Sequence, residues 1–154
     1  MATSLSQRLL QDRFESPVQK AVLNLLVAAA HLQEQSRRVF IKHDLTPAQY
    51  NVLRILRGAH PRGHARCEIA KRMIERAPDL TRMVDRLERR GLVERARSEQ
   101  DRRQSVTRIT PRGLDLVERM TPAVTALHRA LSSRLTRPEA ATLSRLCEKL
   151  YAED

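Results

Sequence analysis

The segment between Pro78 and Gly91 constrains this chain more than any other, because its pattern fits one short helix with two chemically opposed sides. Proline is at home in the first turn of a helix, where its missing N–H has no intrahelical partner to lose. Glycine follows helix ends because it tolerates positive φ. Between the two, Leu80, Met83, Val84 and Leu87 recur at helical spacing and form an apolar stripe. Thr81, Arg82, Asp85, Arg86 and Arg89 fall on the opposite side. That face is unusually polar and cationic for a helix running from Pro78 to about Arg90.

The flanks extend the pattern. Upstream, residues 18–43 carry Val18, Val22, Leu25, Leu26, Ala29, Leu32, Val39 and Phe40 at helical spacing, after a Ser16-Pro17 start signal. Thr46-Pro47 opens a second helix with Tyr50, Leu53 and Leu56 on one face, broken between Gly58 and Gly63. A third covers roughly Cys67 to Ile74, and a short polar turn at Glu75-Arg76 separates it from Pro78. Downstream of Gly91 come two short strands, Leu92–Arg97 and Gln104–Thr110, predicted from β-branched content and bounding turns. Ser105, Thr107 and Ile109 share one face of the second strand and Gln104, Val106 and Arg108 the other, so its alternation does not settle which face is buried. Thr110-Pro111 then starts a long helix to about Leu135 that Pro122 is expected to bend, and Thr136-Arg137-Pro138-Glu139 starts a last one with Leu143, Leu146 and Leu150 on one side.

Charge separates the function classes. The 154 residues carry a formal net charge of +11, and the stretch from Arg62 to Arg112 alone has 15 Lys/Arg against 8 Asp/Glu, hence +7. A concentrated basic field favours polyanionic partners. Aromatic residues make up 3% of the chain, with no Trp, which leaves no stacking platform for single-stranded nucleic acid. Cys67 and Cys147 are the only cysteines and do not make a disulfide scaffold. His60, His64 and Cys67 do not complete a metal site, because Pro61 and Gly63 preclude regular helical spacing there. Cys67 near a helix start invites a redox reading, but a small packed residue explains it more simply. No nucleophile-elbow or P-loop motif and no carboxylate pair suggests catalysis, so neither enzymatic activity nor a cofactor is expected. The first 17 residues lack the apolar core of a signal peptide, and Val22 to Ala30 is too short to span a bilayer. A cytoplasmic protein without membrane contact is expected.

Helix, short turn, cationic helix, hairpin with an Arg-rich tip: this order describes a winged helix-turn-helix, mainly α with a small β wing. A helix entering the major groove needs outward donors of adjustable geometry, which Thr81, Arg82 and Arg86 supply. The preceding helix, with Lys71 or Arg72, suits phosphate contact, and a wing tip entering a narrow minor groove favours arginine at Arg102 or Arg103. Asp101 would repel phosphate, so it is expected to orient an arginine or the wing turn.

The sequence resembles the MarR (multiple antibiotic resistance regulator) family at these residues. The match runs through Leu45-Thr46-Pro47-Ala48-Gln49-Tyr50-Asn51-Val52-Leu53, Glu68-Ile69-Ala70, Thr81 to Val93, Asp101-Arg102-Arg103 and Thr110-x-x-Gly113. One departure is the segment Ile74-Glu75-Arg76-Ala77-Pro78, which keeps the length of the helix-turn-helix turn without the glycine frequent in the family. The resemblance implies a single domain over 1–154: an obligate homodimer built from N- and C-terminal helices, about 16–43 and 112–152, around a DNA-binding lobe of about 45–111. It also implies binding of double-stranded DNA by Pro78, Asp79, Thr81, Arg82, Arg86, Arg102 and Arg103, with Arg102 favoured at the wing tip. A repressor on a palindromic operator, relieved by a small-molecule effector or stress signal, follows from the same resemblance; the ligand-binding residues do not. Apolar stripes on the outer helices argue for the dimer independently, since a small winged core cannot bury them. A DNA-binding architectural protein without an effector would carry the same charge, but would lack preference for one promoter.

Overall fold

A computed structural model describes residues 4–98, 101 and 104–152 of the protein. The chain forms two compact units, residues 1–47 and 48–154.

The first unit is helical. Helix α1 (Leu5–Leu9) is held by a reciprocal cap: the Gln7 amide donates to Ser4 Oγ at 3.3 Å, and the Ser4 amide donates to Gln7 Oε1 at 2.9 Å. This helix was not expected from hydrophobic spacing. Helix α2 (Pro17–Phe40) begins with Ser16 as its cap and Pro17 in the first turn, as the Ser16-Pro17 signal indicated. It tightens into a 3-10 turn over Ile41–His43, which ends on Asp44 in the left-handed region (φ 57°). Phe40 and Leu45 are buried, whereas Val18, Val22, Leu26 and Leu32 remain exposed.

The second unit holds the winged core. Helices α3 (Pro47–Gly58), α4 (Arg66–Arg72) and α5 (Leu80–Arg89) precede a two-stranded antiparallel sheet, β1 (Val93–Arg97) and β2 (Ser105–Ile109), which pairs Val93 with Ile109 and Arg97 with Ser105. Helices α6 (Pro111–Ser132) and α7 (Arg137–Tyr151) follow. Val52, Leu53 and Leu56 of α3, Ile69 of α4, Leu87 of α5, Val93 of β1, and Val117 and Met120 of α6 are almost fully buried. Burial of this apolar area is the main favourable term holding the lobe together. On β2 both Val106 and Thr107 are buried, although they face opposite sides of the strand. His64 pairs with Thr107 as an added edge of this sheet. The His64 amide donates to the Thr107 carbonyl at 3.0 Å, and the Thr107 amide returns the bond at 2.8 Å.

Two expected boundaries shift. Helix α4 ends at Arg72 rather than Ile74, because the Ile74 amide donates to Asn51 Oδ1 on α3 at 2.9 Å instead of continuing the helical ladder. Ile74 is 81% exposed, so no burial holds it in the helix. Helix α5 starts at Leu80 rather than Pro78. The Leu80 amide bonds the Ala77 carbonyl at 3.2 Å, and Asp79 is non-helical (φ −107°, ψ 27°), so Pro78 occupies the second position of a β-turn that proline's fixed φ suits. Elsewhere the expected signals hold. Gly91 lies just past α5 at φ 68°, Thr110 caps α6, and Thr136 with Glu139 forms a capping box on α7. Helix α6 continues unbroken through Pro122.

Close approach explains two glycines. A Cβ at Gly63, where φ is +77°, would lie 2.3 Å from the Thr107 carbonyl oxygen. At Gly113 it would lie 2.2 Å from the Leu92 carbonyl oxygen and 2.7 Å from Ile109 Cγ1, so α6 rests directly on the base of the wing. Gly113→Ala should gain about 1 kcal/mol of helix propensity but lose about 2 to 3 kcal/mol to overpacking. Thermal unfolding should therefore occur several degrees lower, and an unchanged or raised Tm would contradict this packing. Asn51→Ala should leave the Ile74 amide without its acceptor, costing about 1 to 2 kcal/mol. Hydrogen exchange at the Ile74 amide should accelerate selectively; unchanged protection would show that Asn51 does not hold the turn.

Candidate nucleic-acid interface

The burial pattern of α5 reproduces the two-sidedness of its sequence. Leu80, Val84 and Leu87 are buried, while Thr81, Arg82, Arg86 and Arg89 are exposed. Helix α5 therefore holds one face in the core and presents hydroxyl and guanidinium donors on the other. Arg82 Nε lies 3.6 Å from Asp79 Oδ1, and both side chains are largely exposed (77% and 60%). Such a pair contributes little to stability. Arg86 has no ion pair or side-chain hydrogen bond among the described residues. Pro78 and Asp79 lie in the turn that leads into the helix, beside this face in sequence.

The two acids within α5, Asp85 and Glu88, both turn to the wing. Asp85 and Glu88 do not bond Arg82 or Arg86 at helical spacing. Both bond Arg95 on β1: the Arg95 guanidinium donates to Asp85 Oδ1 and to Glu88 Oε2. The Arg95 amide adds a third bond, to Glu88 Oε1 at 3.0 Å. The carboxylate of Asp85, followed by burial and the charge of Glu88, sets the electrostatics of the guanidinium, with the net effect of holding its pKa above the usual arginine value. This contact fixes the wing to the cationic helix. Periodicity alone had no means of finding it, because the partners are separated by the tight connection at Gly91.

At the far end of the wing, the Asp101 amide donates to Ser98 Oγ at 3.3 Å, and the Asp101 carbonyl accepts from the Gln104 amide at 2.9 Å. Asp101 thus takes part in the hydrogen bonds of the connecting turn through its backbone. Arg102 and Arg103 lie outside the described residues. On α4, Lys71 and Arg72 both bond Glu68, with Lys71 Nζ 3.1 Å from Glu68 Oε1. The Arg72 bond, then the Lys71 bond, holds the Glu68 carboxyl below the usual carboxylate range. Those two cations are therefore shared with an acid, unlike Arg86. Cys67 is exposed at the start of α4, not packed as expected, and Cys147 is half-buried. The outward face of α5 presents hydroxyl and guanidinium donors, suited to binding an anionic polymer.

Comparisons with known proteins agree with this geometry. The family model described as "MarR family" matches residues 45–105, which contain α3, α4, α5 and β1. A MarR transcription factor from Planctomyces limnophilus is 38% identical over 88% of this chain and 98% of its own, with a TM-score of 0.66. The homoprotocatechuate degradative operon repressor of Escherichia coli is 28% identical over 83% of this chain and 85% of its own. The PcaV transcriptional regulator of Streptomyces coelicolor, solved with its natural ligand, is 27% identical over 80% of this chain and 88% of its own, with a TM-score of 0.66. No helix among the described residues is long and apolar enough to cross a membrane. With a mainly helical fold, a two-stranded wing and an exposed cationic helix, the chain belongs to the MarR family of DNA-binding transcriptional regulators.

Proposed function

We propose that this regulator is a repressor that binds a palindromic operator as a homodimer and is released from it by a small-molecule effector. The reading is carried by the two-faced helix α5: Thr81, Arg82 and Arg86 stand exposed while Leu80, Val84 and Leu87 of the same helix are buried. In this reading α5 lies in the major groove, with Arg82 and Arg86 donating to base edges and Thr81 near a thymine methyl or a phosphate. Pro78 and Asp79 approach the DNA at the helix entrance, where Asp79 directs Arg82. Arg102 or Arg103 reaches the minor groove from the wing tip, and Asp101 orients the turn that presents them.

Support for the dimer comes from apolar side chains left exposed on the outer helices. Val18, Val22 and Leu26 of α2 and Leu143, Leu146 and Leu150 of α7 are all at least 38% exposed in the single chain. A second copy covering residues 16–43 and 112–152 would remove them from water. Two-fold symmetry would then set two α5 helices about one DNA turn (~34 Å) apart, leaving residues 45–111 as the reading lobe of each protomer. The repressor assignment draws on the name of the Escherichia coli relative, and the effector on the ligand complex of PcaV.

The test is selection of genomic fragments by the purified protein, followed by equilibrium binding to the selected site and to random duplex. The wild type should prefer its site by about a thousandfold or more, with one dimer per palindrome. Arg82→Ala should reduce that preference by about tenfold or more while the circular dichroism and the sedimenting mass of a dimer stay unchanged. Undiminished discrimination by Arg82→Ala would overturn the assignment of α5 as the reading helix. An equal salt slope and affinity on every sequence would point instead to an architectural protein.

A further inference from the structure

The second unit has an open groove of about 420 Å³ lined by Arg54, Ile55 and Gly58 of α3, His64, and Arg72 of α4, none of them a residue of α5. Its chemistry is one-sided. Three of the five lining residues carry side-chain nitrogen donors, and Glu68, whose charge acts on His64, is already engaged by Arg72 and Lys71. The Arg54 side chain is exposed and has no hydrogen bond or ion pair among the described residues. A guanidinium presents five donors in a planar fork that matches a carboxylate or phosphate, so an unpaired one in a concave site lacks an obvious partner. The space at Gly58 is open: a Cβ there would meet nothing within 4 Å. Ile55, itself buried, supplies an apolar wall.

We propose that this groove binds one anionic oxygen group, a carboxylate or a phosphate, held by Arg54 together with Arg72 and His64. The site goes beyond operator reading by α5 and stands without it. His64 fits the role of a reporting ligand. Burial first, and then the charge of Arg72, pushes its imidazole below the usual histidine value, with Arg62 adding to the effect and Glu68 opposing it. An anion in the groove offsets those cations and favours the protonated ring, which then offers a second donor. The backbone of His64 is bonded in both directions to Thr107 of β2, so the same residue touches the groove and the wing.

The anion has two possible sources, a free small anion or a backbone phosphate of DNA, and one set of variants separates them. Arg54→Gln removes the unpaired guanidinium, and Arg57→Gln, on the same helix but outside the groove, removes an equal charge as a control. The full-length protein is titrated with inorganic phosphate at constant ionic strength while the His64 imidazole is followed by NMR. In parallel, affinity for random-sequence duplex DNA is measured against salt. A His64 titration that phosphate moves upward in the wild type and in Arg57→Gln, with affinity about tenfold weaker in Arg54→Gln, establishes a site for a free anion. If phosphate leaves His64 unmoved but Arg54→Gln alone lowers the salt slope by about one, the occupant is a DNA phosphate. If neither change occurs, or if the two variants behave alike, the groove is an ordinary charged surface and the proposal is overturned.

Discussion

The contact of Arg95 with Asp85 and Glu88 is the constraint on which the proposed DNA-binding surface depends. It joins helix α5 to strand β1 across the tight connection at Gly91, using both carboxylates of the helix and the backbone amide of the strand. All three side chains are between 35% and 40% exposed, so each ion pair adds little to global stability once water screens it. Its value is geometric. A planar guanidinium bonded to two carboxylates has few alternative positions, and the strand it belongs to is held accordingly. Two weakly stabilising pairs can thus define the angle at which the wing leaves the helix.

Beneath that clamp the lobe is rigid for reasons that are apolar and steric. Leu87 and Val93 are buried at the helix end and the strand start, and α6 sits on the Leu92 carbonyl with only a hydrogen atom at Gly113 to spare. Thr110 caps α6 by accepting from the Gly113 amide at 3.1 Å, and its hydroxyl donates to the Gly91 carbonyl at 2.6 Å. One threonine therefore ties together the end of α5, the start of the wing and the start of α6. On the other side of the lobe Asn51 holds the turn between α4 and α5, although its own Nδ2 is buried without a partner. An unsatisfied amide hydrogen pair costs free energy. Keeping Asn51 there nonetheless trades stability for a defined turn, which in this chain has no glycine to shape it.

What could be read from the sequence was whatever depends on neighbours along the chain. The stripe of Leu80, Val84 and Leu87, the stop at Gly91, the cap at Thr110 and the box at Thr136 and Glu139 are local devices, and each appears in the fold. Boundaries decided by partners distant in sequence were not legible. Asn51 shortens α4 from 23 residues away, and His64 pairs with Thr107 at the edge of β2 from 43 residues away. The turn at Pro78 delays α5 by two residues because proline serves a β-turn as well as it serves a helix start. Helix α1 carried a readable Ser4–Gln7 box, but a five-residue helix has too few apolar repeats for a periodicity reading to find. The candidate interface was legible in its donors, Thr81, Arg82 and Arg86. It was not legible in its acids: helical spacing places Asp85 near Arg82 and Arg89 and gives Glu88 no arginine, whereas the fold brings both to Arg95.

That last difference allows a test in which charge and geometry predict opposite signs. Asp85→Asn combined with Glu88→Gln removes two negative charges from a helix assigned to meet DNA, so electrostatics alone raises affinity for every duplex. The direct measurement is the ratio of equilibrium affinities for the selected operator and for random duplex, taken at one salt concentration for wild type and double variant. If Arg95 holds helix and wing as one reading unit, the ratio should fall by about tenfold or more even though binding to random DNA strengthens. A ratio that stays constant while both affinities rise together would contradict the account.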